Sequence, residues 1–188
     1  CLVSDELALR GERLLERLRT DAPPKSSRKR EREQLRQALI GLDTQEPNHS
    51  ILASLRAGTP EDAIVIAGMT QIGYYSRPFW PVYRPRTYLT SSYSGNLGFE
   101  VPTALGAKVA RPDRAVICIT GDGGFLYGCG DLATLAQEQL PVTVVLVDDG
   151  GYGMLRYDQD REGLPHRGVD WDSPDFVGLA RSFGVHAD

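Results

Sequence analysis

Two apolar, β-branched runs, residues 115–120 and 142–147, each end in a turn that carries carboxylates and glycines. The first turn is Gly121-Asp122-Gly123-Gly124 and the second Asp148-Asp149-Gly150-Gly151-Tyr152-Gly153. A carboxylate-bearing turn at the carboxyl end of each of two strands allows one hard cation to be shared, because magnesium takes an octahedral shell of oxygens. The flanking glycines leave backbone amides open to an anion. Either turn alone reads better as a simple tight turn. Placed together at one sheet edge, they describe a magnesium–diphosphate site.

The surrounding pattern supplies that sheet edge. Residues 63–67, Ala-Ile-Val-Ile-Ala, form a third short apolar run ending in Gly68, and residues 86–90 form a weaker strand candidate. Helices are expected from Asn48, as cap, to Arg56, over 101–109 with Pro102 in the first turn, and around 131–139. Near-continuous apolar strands separated by helices predict an α/β fold, a parallel sheet with helices on both faces. Ligands of such sheets bind beyond the carboxyl ends of the strands. The loops there are 68–71, 121–124 and 148–153.

Residues 1–45 read differently. Leu7, Leu14, Leu15 and Leu18 recur at helical spacing over 5–19, Asp21-Ala22-Pro23-Pro24 ends that helix, and a mixed-charge run leads to Leu35, Leu39, Ile40 and Leu42. Glutamates interleave with its basic residues, so the run is a solvated helix face. The formal charge of −4 gives no electrostatic case for a nucleic-acid partner. No apolar run reaches the length of a membrane span. Three cysteines, Cys1, Cys118 and Cys129, lack metal-ligand spacing and fit a reduced compartment, with Cys118 a core residue. The expected location is the cytoplasm. His49, His166 and His186 form no metal-binding pair. The aromatic segment from Tyr74 to Tyr83 fits either a substrate or partner surface or a cover for the domain's own core.

The paired turns, with Ser94-Gly95-Asn96-Leu97-Gly98-Phe99, Pro102 to Gly106, Asp131-Leu132-Ala133-Thr134, Leu140-Pro141-Val142 and Gly151-Tyr152-Gly153-Met154, resemble the diphosphate-binding domain of thiamine-diphosphate enzymes, especially the acetolactate-synthase-like branch. The resemblance covers residues 46–188. It implies that Asp122, Asp149 and the Gly151 carbonyl hold Mg2+, and that Gly121, Gly123, Gly124, Tyr152, Gly153 and Met154 surround the diphosphate of thiamine diphosphate. It also implies that the Gly95 carbonyl and Leu97 amide bond the aminopyrimidine. Leu97 would be the wedge that bends the cofactor, bringing its 4′-amino group to the reacting carbon.

One departure concerns charge. The family has Asn-Asn or Asn-Asp where this chain has Asp148-Asp149, which adds negative charge beside an anionic diphosphate. Asp148 is expected to hydrogen-bond locally and Asp149 to ligate. The activating glutamate of the family belongs to a pyrimidine-binding domain, normally on another subunit of a homo-oligomer, and nothing in this sequence matches it. Residues 1–45 resemble the end of the family's middle domain plus a linker, and 46–188 the diphosphate domain cut short at its carboxyl end, so this piece alone is expected to be inactive. The implied activity of the whole is decarboxylation of a 2-oxo acid with transfer or ligation of the acyl anion. The alternatives are a simple 2-oxo-acid decarboxylase and a non-catalytic binding or assembly module. A nucleotide-binding domain fits poorly, because no Walker-type or Gly-x-Gly-x-x-Gly loop follows a strand.

Overall fold

The apolar runs become four strands, β1 (Ile64–Ala67), β2 (Tyr88–Thr90), β3 (Val116–Gly121) and β4 (Val142–Val147). They pair in parallel in the order β2-β1-β3-β4. This computed structural model describes residues 30, 31, 33–35, 38, 46–91 and 93–188. The chain divides into two units, Cys1–Thr44 and Gln45–Asp188, and the sheet belongs to the second. In the first, Arg30, Glu31, Glu33, Gln34, Leu35 and Ala38 are helical and exposed. The helix expected over 5–19 and the apolar positions Leu39, Ile40 and Leu42 lie outside the described residues.

Parallel pairing requires a crossover between successive strands. These are α2 (Gln71–Phe79) between β1 and β2, α3 (Glu100–Ala110) between β2 and β3, and α4 (Asp122–Gly128) with α5 (Leu132–Gln137) between β3 and β4. Helix α1 (Asn48–Gly58) precedes the sheet, and α6 (Gly153–Arg161) and α7 (Phe176–Ser182) follow it. Alternate strand residues divide between two cores. Ile64, Ile66, Val116 and Cys118 pack with Val101 and Leu105 of α3, Phe125 of α4 and Leu132 of α5 on one face. Val65 and Ile119 pack with Leu52, Ile72, Tyr75 and Trp80 on the other. The sheet is therefore covered on both faces. Burying a side chain such as Ile66 stabilises the fold by about 1.5–3 kcal/mol.

Several local expectations are corrected. Asn48 lies inside α1 rather than capping it. Pro47 precedes the helix, and the Glu46 carboxylate instead accepts the Ser50 amide at 3.3 Å. The weaker strand starts only at Tyr88, because Arg86 takes a left-handed φ of 60°. The helix expected around 131–139 is a 3₁₀ turn over Cys129–Asp131 followed by α5, which stops before Gln139 with φ 49°. Of the aromatic segment, Tyr75 and Trp80 are core, while Tyr83 is exposed. Cys118 is fully buried, and burial pushes its thiol pKa strongly up. No helix among the described residues is long and apolar enough to cross a membrane.

Candidate functional site

The three loops at the carboxyl ends of β1, β3 and β4 are tied to one another. Gly121-Asp122-Gly123-Gly124 is not a free turn. Gly121 ends β3 and caps α4, and Asp122 is the first helical residue. Asp122 is only 2% exposed, and its Oδ2 accepts the Gly151 amide at 2.9 Å. Burial first, and the neighbouring carboxylates Asp149 and Asp148 after it, hold the Asp122 pKa above the ordinary aspartate value. On the β1 side, Gln71 Nε2 donates to Asp149 Oδ2 at 3.2 Å, and a Cβ on Gly121 would come within 3.0 Å of Thr70.

The second turn is held from outside. Gly151 pairs with Asp170 in an antiparallel bridge, the Tyr152 amide donates to the Val169 carbonyl at 2.8 Å and the Trp171 amide to the Gly150 carbonyl at 3.2 Å. Asp148 Oδ1 accepts from Ser173 Oγ at 2.6 Å and from the Gly150 amide at 3.1 Å, contacts that hold its pKa low. The Asp149 Oδ2 atom lies 3.3 Å from Arg156, which also donates to the Asp149 carbonyl at 2.8 Å. Among the described residues no three His, Cys, Asp or Glu side chains form a metal-binding group. Any cation here would rely on two carboxylates and a carbonyl.

The glycines at the start of α4 face two different neighbours. A Cβ on Gly123 would meet Tyr152 Cε1 at 2.7 Å and Trp171 Cη2 at 2.9 Å. A Cβ on Gly124 would meet Glu100 Oε1 at 3.3 Å, Thr120 Oγ1 at 3.5 Å and Leu97 Cδ2 at 3.8 Å. Leu97 therefore sits against α4, and Gly95 (φ 62°) lies beside Met69. Gly153 begins α6 beside Asp149 and Gln71, and Met154 is half exposed. A cavity of about 210 Å³ lies beside Gly123, lined by Leu126, Tyr127, Tyr152 and Trp171. Gln71, Arg156, Ser173 and Trp171 were not singled out in the sequence. Arg156, three residues beyond Gly153 on a short helix, carried the clearest signal of these.

Oxygen ligands, closely approaching carboxylates and glycine-lined space suit a hard cation with an anionic group. Residues 68–188 match the family model described as "Thiamine pyrophosphate enzyme, C-terminal TPP binding domain". The chain is 37% identical over 139 residues to the acetolactate synthase isozyme 2 large subunit of Escherichia coli, covering 72% of this chain and 25% of that protein. It is 34% identical over 173 residues to a probable 2-ketoarginine decarboxylase of Pseudomonas aeruginosa, covering 92% of this chain and 31% of that protein. Among solved structures, the thiamine diphosphate-dependent 4-hydroxybenzoylformate decarboxylase of Rhodococcus jostii RHA1 superposes with a TM-score of 0.67 at 36% identity, over 74% of this chain and 26% of that one. The chain thus spans about a quarter of the length of the acetolactate synthases it matches. It belongs to the thiamine pyrophosphate enzyme family, of which it carries the C-terminal TPP-binding domain.

Proposed function

We propose that this domain anchors the magnesium–diphosphate end of thiamine diphosphate in a larger enzyme that decarboxylates a 2-oxo acid and transfers or ligates the resulting acyl group. Asp122 carries this reading: a carboxylate 2% exposed, with Asp149 near enough to raise its pKa, and no ion-pair partner among the described residues. Such buried negative charge calls for a cation. Asp122, Asp149 and the Gly151 carbonyl would hold magnesium. Gly123 and Gly124 would leave room for the diphosphate, and Gly121, Tyr152, Gly153 and Met154 would border it. Within α6, the first-turn amides lack intrahelical acceptors and are open to an anion. Gly95 and Leu97 would hold and bend the aminopyrimidine. Once bound, the cofactor supplies the electron sink that decarboxylation requires.

A pyrimidine-binding domain, from a second copy in a homo-oligomer, would supply the activating glutamate. Leu126, Tyr127, Met154, Leu155 and Tyr157 are exposed on α4 and α6 and suit a covering partner. Residues 1–45 would be the end of a middle domain plus its linker. The free Cys118 suits a reducing cytoplasm. Simple decarboxylation of an aryl 2-oxo acid is the second reading, favoured by the aromatic lining of the cavity beside Gly123. The test is release of carbon dioxide from a panel of aliphatic and aryl 2-oxo acids by the intact protein, omitting magnesium and thiamine diphosphate in turn. Product analysis for carboligation separates the two readings. Turnover independent of both additions would refute them.

A further inference from the structure

Glu100 is a carboxyl group that no role above uses. It is the first residue of α3, it is 1% exposed, and it lies between Gly68 and the site residue Gly124. Its Oε1 accepts the Met69 amide at 3.2 Å, joining α3 to the loop that follows β1. Gly68 makes this approach possible, since a Cβ there would collide with the Glu100 Oε1, Cγ and Cδ atoms. On its other side, Oε1 lies 3.3 Å from where a Cβ of Gly124 would stand, next to Leu97 Cδ2. The Gly98 amide, next to Leu97 in the chain, also interacts with this carboxyl. Glu100 Oε2 has no hydrogen-bond partner among the described residues.

A buried carboxyl with one unsatisfied oxygen costs stability. An apolar residue of similar size would fill the space beside Gly68, Gly124 and the buried Cys118 without that cost, so packing alone does not account for Glu100. Its contacts run instead to Met69, in the loop after β1, and to Gly98, within the loop that carries Leu97. We propose that Glu100 is a positioning residue, its Oε1 tethering the loop after β1 to the Gly95–Phe99 loop and so fixing the height of Leu97 over Gly124. This rests on the thiamine-diphosphate reading, because Leu97 and Gly95 are the residues expected to meet the aminopyrimidine. The acceptor oxygen matters rather than the bulk.

The discriminating pair is Glu100→Leu, which keeps bulk and removes the acceptor, and Glu100→Gln, which keeps an acceptor oxygen. Both are made in the intact protein and titrated with thiamine diphosphate and magnesium, with Asp122→Ala as reference. Three readouts are followed: affinity, the melting temperature without cofactor, and the near-ultraviolet circular dichroism of the bound aminopyrimidine. Loss of one hydrogen bond to a charged or polar carboxyl predicts about tenfold weaker binding in Glu100→Leu, with a melting temperature at or above wild type and an altered dichroic signal. Glu100→Gln restores both affinity and signal. Falling affinity with unchanged or rising stability is an outcome that a merely structural role does not give. If Glu100→Leu binds with wild-type affinity and signal while Asp122→Ala does not bind, this proposal fails and the cofactor reading stands. If wild type itself binds no cofactor, both fail.

Discussion

Gly151 donates its amide to the Asp122 carboxylate across 2.9 Å, so the turn after β4 is fastened to the helix that follows β3. The same residue is pressed against the 169–171 segment, with φ 156° and no room for a side chain before the Val169 carbonyl. The atoms a Cβ would meet are backbone of Val169 and Asp170, which do not yield as a side-chain tip would. Gly151→Ala is therefore expected to cost roughly 1–3 kcal/mol in urea denaturation and to release Asp122 from its tether. An unchanged denaturation midpoint would show that the turn is looser than described.

Trp171 packs edge-on against Tyr152 with ring centroids 4.6 Å apart, beside Gly123, whereas Trp80 is buried on the far core with Val65 and Ile119. An anion entering beside Gly123 should change the emission of Trp171 and leave Trp80 unaffected. Titration with thiamine diphosphate and magnesium is expected to change the fluorescence of wild type, and Trp171→Phe to abolish that change while still binding. A signal that persists in Trp171→Phe would place the ligand elsewhere.

Burial raises the Glu100 pKa above its ordinary value of 4.5, against the amides of Glu100, Met69 and Gly98, which favour the charged form. The folded protein then holds this proton more tightly than the unfolded chain does. The associated stability is complete below the ordinary glutamate value and is lost as pH rises through the folded pKa. Wild type should therefore lose stability relative to Glu100→Gln as pH rises from 4.5 toward neutrality. Parallel stability curves for the two proteins would contradict this.

The strands were legible because buried parallel strands are near-continuous apolar runs, and β1, β3 and β4 begin within one residue of Ala63, Ala115 and Val142, where those runs start. Asp122 was legible as a candidate but its place in a helix was not, since consecutive glycines have poor helix propensity and read as a turn. Gln71 and Ser173 reach the Asp148-Asp149 turn from distant segments, for which the sequence holds no local signal, whereas Arg156 lies only seven positions beyond Asp149. Glu100, just ahead of the helix expected over 101–109, was not singled out. Its tether to Met69 depends on Gly68, thirty-two positions earlier.

Calorimetric titration of this chain with thiamine diphosphate, with and without magnesium and alongside Asp122→Ala, tests the central claim most directly. With the pyrimidine-binding half of the site proposed to come from another domain, affinity on the order of millimolar to high micromolar is expected, roughly 4–6 kcal/mol. The account predicts heat that requires magnesium and disappears in a folded Asp122→Ala protein. Binding that is indifferent to magnesium, or that survives in Asp122→Ala, would contradict it.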